Sequence, residues 1–155
     1  MSSFKDQNWG TRYNTMGDMA EGQYETWADE AGDKWVRYGL NRPRASMTKW
    51  SPFIRYTPDY ILHDRLVEVK GCGRDGLVKI KTENIAALAG WRAISDLPVW
   101  LFIYNSSEDD IVYFEMDDTF YTYLHDVPKD RFPDNDKEFY NIPWKDCVNQ
   151  TWNPW

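Results

Sequence analysis

Residues 98–104 read Pro-Val-Trp-Leu-Phe-Ile-Tyr, an apolar run of strand length with no polar interruption. A strand that wets one face alternates, so an unbroken run of this length predicts a strand covered on both faces. The chain must therefore supply covering layers on two sides. Residues 17–31 offer one, because Ala20, Tyr24, Trp27, Ala28 and Ala31 form a single helical stripe. Gly32 is a plausible stop for that helix. A second helix is expected from Thr82, as N-cap, to Ile94. Helices laid against a largely buried sheet make an α/β protein.

The other elements fit that frame. Asp33 to Gly39 reads equally well as a short strand or as an extension of the first helix. Asn41 to Ser51 reads as a basic loop near two prolines. Leu77 to Ile80 is a short strand or the lead into the second helix, after the flexible turn Gly71 to Gly76. Asn105 to Asp110 is a turn, and Ile111 to Glu115 is expected to pair back on the 98–104 strand. A short helix is expected from Asp117 to Leu124, followed by an acidic, aromatic segment with prolines. The whole is expected to be one α/β domain over residues 1–155. Its core spans about 17–116, with a central mixed β-sheet flanked by helices, and an extension covers about 117–155.

The stretch TPDYILHDRLVEVKG, residues 57–71, holds the chemistry. Two apolar, β-branched runs flank His63-Asp64, which predicts a hairpin. A two-residue loop there sets Leu62 opposite Arg65, Ile61 opposite Leu66, Tyr60 opposite Val67 and Asp59 opposite Glu68. Like charges directly opposed across an antiparallel pair are destabilising. Glu68 and Lys70, two apart on one strand, share a face. The hairpin thus gathers two carboxylates and an ammonium. A divalent cation with oxygen ligands would relieve the repulsion, and Mg²⁺ is commonly held by one or two carboxylates plus water and phosphate. The bland alternative is a surface ion-pair cluster on an edge hairpin.

Charge is unevenly spread. The net formal charge is −7, but residues 1–33 carry −5, residues 34–92 carry +7 and residues 93–155 carry −9. Phosphate binding depends on local charge, so the hairpin lies in the one segment suited to it. No run is long and apolar enough for a membrane span, and the N-terminus lacks the pattern of a secretory signal. Cys72 and Cys147 are far apart and in no metal-binding spacing, which fits a reduced, cytoplasmic protein.

Pro58-Asp59 followed by Glu68-Val69-Lys70 resembles the signature of the PD-(D/E)XK nuclease superfamily, the restriction-endonuclease-like fold. The resemblance covers roughly residues 17–104 and extends to an upstream helix, since Gly17-Asp18-Met19-Ala20-Glu21 is similar to the G-x-x-x-E start of that helix. It is nearest to small phage-type and Holliday-junction-resolvase-like members. It implies an αβββαβ core and a metal-dependent DNA nuclease. The expected role is phage-type DNA processing or structure-selective cleavage, in the host cytoplasm or a virion. The alternative is a nuclease-fold protein acting as a non-catalytic binding or virion-assembly component.

Carried residue by residue, the resemblance implies that Asp59, Glu68 and the Val69 carbonyl hold Mg²⁺, with Mn²⁺ as a substitute. Glu21, with Glu25 as its rival, would complete the metal shell directly or through water. Lys70 would position the attacking water and stabilise developing charge, in preference to acting as a general base. Arg42, Arg44, Lys49, Arg74, Lys79 and Lys81 are the candidates for gripping DNA phosphates. His63 reads as a turn residue and His125 lacks a partner that would make it a ligand. Trp144, Trp152 and Trp155 read as core packing or as anchors for a homodimer or protein partner on the acidic C-terminal region.

Overall fold

The computed structural model describes residues 9–38 and 51–153, with side chains from Met16 onward in the first of these segments. Helix α1 (Trp9–Ala31) ends at Gly32, whose φ of 78° is left-handed. Strand β1 (Val36–Arg37) and helix α2 (Pro52–Arg55) precede the hairpin of β2 (Tyr60–Ile61) and β3 (Leu66–Gly71). Then come β4 (Leu77–Lys81), α3 (Thr82–Ser95), β5 (Val99–Asn105), β6 (Asp110–Glu115) and α4 (Asp118–Leu124). Strands β7 (Lys129–Arg131) and β8 (Glu138–Pro143) and helix α5 (Trp144–Asn149) complete the fold.

The central sheet is mixed, in the order β1-β2-β3-β5-β6. Strands β3 and β5 run parallel, with Leu66 beside Val99 and Gly71 beside Tyr104, and the remaining pairs are antiparallel. Alternation along β3 and β5 divides their apolar side chains between two cores. On one face Val67, Val69, Phe102 and Tyr104 pack with Ala20, Tyr24 and Ala28 of α1. On the other Leu66, Leu101 and Ile103 pack with Ile85 and Leu88 of α3. The uninterrupted apolar run of β5 is thus explained: both of its faces are covered. Helix α1 crosses the end of β3 so closely that a β-carbon at Gly71 would lie 2.6 Å from Met16 Cγ.

The structure corrects or refines these expectations in detail. Of the strands between α1 and α3, β4 leaves the central sheet and pairs with β8 in a second sheet, ordered β4-β8-β7. Residues 117–153 pack onto the domain, since Phe120, Leu124, Val127, Ile142, Trp144 and Cys147 fill the same core as α3. Trp144 is buried there and Trp152, partly buried, packs against the same core, while Trp155 lies outside the described residues. The N-cap of α3 is Lys81 rather than Thr82, because the chain turns helical one residue earlier, and no side chain caps it. Asp117 does cap α4, accepting from the Phe120 N–H at 3.0 Å. No described helix is long and apolar enough to cross a membrane.

Candidate active site

The hairpin forms with the expected register, Tyr60 beside Val67 and Ile61 beside Leu66, closed by the Leu62 N–H donating to Arg65 O at 2.9 Å. Strand β2 begins only at Tyr60, so Asp59 stands just before it. The Leu66 and Cys72 N–H groups point toward β5, to Pro98 O and Tyr104 O. By alternation, the Val69 N–H and carbonyl point the other way, toward the place where β2 has run out. The Asp59 carboxylate fills that gap: its Oδ2 accepts the Val69 N–H at 2.9 Å. Its own carbonyl accepts from the Tyr38 N–H at 2.8 Å, which fixes the residue on both sides.

Glu68 and Lys70 leave β3 on the face covered by α3. Glu68 is only 5 % exposed, and its Oε1 receives the Lys70 ammonium at 2.9 Å. The Asn84 amide of α3 also donates to Oε1, at 3.3 Å. Glu68 Oε2 is buried and has no hydrogen-bond partner, and neither has Asn84 Oδ1. A buried carboxylate oxygen without a donor is costly, so Glu68 Oε2 calls for a partner such as a water or a cation.

Asp59 feels this directly. Burial, and then the Glu68 charge, push its carboxyl well above the ordinary carboxylate range. The Lys70 ammonium and the Val69 N–H oppose the shift, and Glu21 adds to it.

Glu21 and Glu25 lie across the sheet, on α1. The Arg37 guanidinium holds both, at 3.8 Å from Glu21 Oε2 and 2.5 Å from Glu25 Oε1. The Tyr60 hydroxyl also donates to Glu25 Oε1, at 2.8 Å. Glu25 is thus engaged away from the hairpin carboxylates, whereas Glu21 is the one whose charge reaches Asp59. Among the described residues no three His, Cys, Asp or Glu side chains converge as a metal-holding group. What the electrostatics do couple is a pair of carboxylates, Asp59 and Glu68, the latter with an orphaned oxygen. These hard oxygen donors fit Mg²⁺ or Mn²⁺, which keep several waters, better than an ion needing a full protein shell.

The basic candidates separate. Lys79 pairs with Asp75 at 3.3 Å and lies over the Phe139 ring. Lys81 is half-buried between the Tyr56 and Phe132 rings, close enough to Lys70 for their charges to repel. Arg74 is exposed in the turn before β4. Arg42, Arg44 and Lys49 lie outside the described residues. His63 and His125 are both exposed, His63 in the hairpin turn and His125 at the C-cap of α4.

Sequence reasoning missed Asn84. A signal for it existed: Asn84 falls on the same helical stripe as Leu88 and Trp91, and a polar residue on a buried stripe calls for a polar partner.

The sequence matches no protein-family model and no curated protein. A solved structure of a nuclease from a fusselovirus is similar to it, with 11 % identity over 90 % of this chain and 86 % of that chain, at a TM-score of 0.47.

Proposed function

We propose that the protein is a metal-dependent nuclease hydrolysing phosphodiester bonds in DNA. The observation that carries this reading is the buried Glu68 carboxylate: one oxygen is held by Lys70 and Asn84, the other has no partner, and the Asp59 carboxylate is close by. A purely structural ion pair would leave neither an orphaned oxygen nor a second carboxylate forced toward its protonated form. Asp59, Glu68 and the Val69 carbonyl are the groups that would hold Mg²⁺ or Mn²⁺, with Glu21 reached through water. When bound, the ion would supply Lewis acidity and a water of lowered pKa.

The chain's own residues do the rest. The Val69 N–H fixes one oxygen of Asp59 and leaves the other free to turn toward a ligand. Asn84 and Lys70 fix Glu68 Oε1 and so aim Oε2. The Lys70 ammonium, on the same face, orients the attacking water and offsets charge that builds on the phosphate. A compact, strongly hydrated ammonium suits that position.

The test is to incubate the purified protein with supercoiled, linear and four-way-junction DNA in Mg²⁺, Mn²⁺ or EDTA. Cleavage in either metal that EDTA abolishes, and that Glu68→Gln loses, is the expected result. Absence of cleavage on all substrates in both metals would refute the reading.

A further inference from the structure

A second cluster adjoins Lys70 on the α3 side. The Glu83 carboxylate receives the Tyr56 hydroxyl at 3.0 Å, Lys137 at 3.2 Å and Arg55 at 3.4 Å. Burial works to raise the Glu83 carboxyl, but Tyr56, Lys137 and Arg55 together hold it below the usual carboxylate range. Among the described residues Glu83 is the acid that these three side chains share.

Among the described residues three cations stand around that carboxylate, because Lys81 joins Arg55 and Lys137. The Lys81 ammonium forms no ion pair with any described carboxylate. It lies 6.0 Å from the Tyr56 ring centre and 5.9 Å from that of Phe132. Burial lowers its affinity for a proton, and the charges of Lys70, Lys137 and Arg55 lower it further, with only Glu83 opposing. Arg55 contributes a further imbalance, since its Nε is buried and donates to nothing. Helix α3 begins at this point with no side-chain cap.

Half-buried cations in excess, with donors unspent, are costly unless an anion joins them. The cluster is drawn from α2, the N-cap of α3 and the β7–β8 turn, so the fold assembles it from three separate parts of the chain. Tyr56 and Phe132 confine it from the sides. A compact oxyanion with several acceptor oxygens matches these cations better than a lone carboxylate does, because it offers acceptors to several of them at once.

We infer that Arg55, Lys81 and Lys137 form a phosphate-binding subsite beside the Asp59–Glu68 pair, filled by a phosphate oxyanion of a bound nucleic acid strand. This rests on the nuclease reading for its biological ligand, and the subsite itself is tested without hydrolysis.

The experiment uses the full chain in EDTA and compares wild type with Lys81→Gln and Lys137→Gln. Both variants are first checked for unchanged circular dichroism and thermal unfolding. Lys137, with its side chain 40 % exposed, is the substitution that leaves folding least disturbed. One arm titrates a fluorescent single-stranded oligonucleotide across a salt series, and the other titrates inorganic phosphate by calorimetry. Each variant is expected to bind the oligonucleotide about tenfold more weakly at low salt, with a log–log salt slope lower by about 0.7. Loss confined to the oligonucleotide arm supports a chain-borne phosphate, and loss in both arms supports recognition of the phosphate group itself. Wild-type affinity and slope in both variants and both arms overturn the proposal. Cleavage is read in neither arm, so a failure of the nuclease reading and a failure of this subsite are told apart.

Discussion

Asn84 reaches from the first turn of α3 to Glu68 on β3 and donates its amide to Oε1 at 3.3 Å. Both residues are buried, and each keeps one oxygen without a partner. The contact therefore aims the free Glu68 oxygen without satisfying it. Asn84→Ala is expected to weaken Mn²⁺ binding about tenfold, in the range seen when a group that orients a metal ligand is lost. Calorimetric titration of Mn²⁺ checks this. Wild-type affinity in the variant would show that Lys70 alone orients Glu68.

Asp59 makes a prediction of opposite sign for stability. Its carboxyl is raised above the usual range by burial and by Glu68. A raised carboxyl contributes stability that is complete below the unfolded-state value and is lost as pH climbs through the folded-state value. Metal-free Asp59→Asn, which can still accept the Val69 N–H, should thus be more stable than wild type at neutral pH, by about 1 kcal/mol. The gap should close as pH falls toward about 4. Urea unfolding in EDTA at several pH values measures it. Adding Mn²⁺ should stabilise wild type and leave the variant unmoved.

Lys70 separates structure from chemistry. Its ammonium lies 2.9 Å from a buried carboxylate, and removing one partner of such a pair costs about 3 kcal/mol. Lys70→Met should therefore destabilise the metal-free protein, and Mn²⁺ should recover part of the loss by replacing the missing charge. Single-turnover cleavage at saturating metal should still fall by about two decades, because a preorganised charge at the reacting phosphate is gone. Lys70→Arg should restore stability more than rate, since a planar guanidinium does not occupy the place of a compact ammonium. Near-wild-type cleavage by Lys70→Met would make the third charge of the hairpin purely structural.

The hairpin was legible because everything that sets it is local. Two β-branched runs, a two-residue turn and the side-chain period of two fix the register and place Glu68 and Lys70 on one face. The two-sided burial of β5 was legible for a similar reason, since its apolar run has no polar interruption. What was hidden depends on contacts far apart in sequence. Nothing near Leu77 says that β4 pairs with β8, whose partner residues begin beyond position 138. The side of the sheet that α1 covers was hidden too, because helical spacing says nothing about it. Only the packing of Tyr24 against Tyr60 and Phe102 shows that α1 lies opposite Glu68. Asn84 and Lys137 needed the same third dimension.

The pairing of β4 with β8 supplies the last prediction, because it ties the acidic C-terminal third to the site. Ile142 sits opposite Val78 in that pair, is fully buried, and packs in the core that supports α3. Ile142→Ala removes buried methylene groups where β4, β8 and α3 meet, and a loss of about 2–4 kcal/mol is expected. If residues 117–153 folded as a separate accessory, the variant would unfold in two steps and leave the Mn²⁺ site untouched in the first. The shared core predicts otherwise. Loosening β8 also loosens β4, the start of α3, and with them Asn84 and Lys81. Urea unfolding followed in parallel by far-ultraviolet circular dichroism and by tryptophan fluorescence should therefore show one coincident transition, shifted to lower urea. Mn²⁺ should move that whole transition upward. Two separated transitions, with only the later one responding to Mn²⁺, would mean that the second sheet is an independent layer resting on the site rather than part of what holds it.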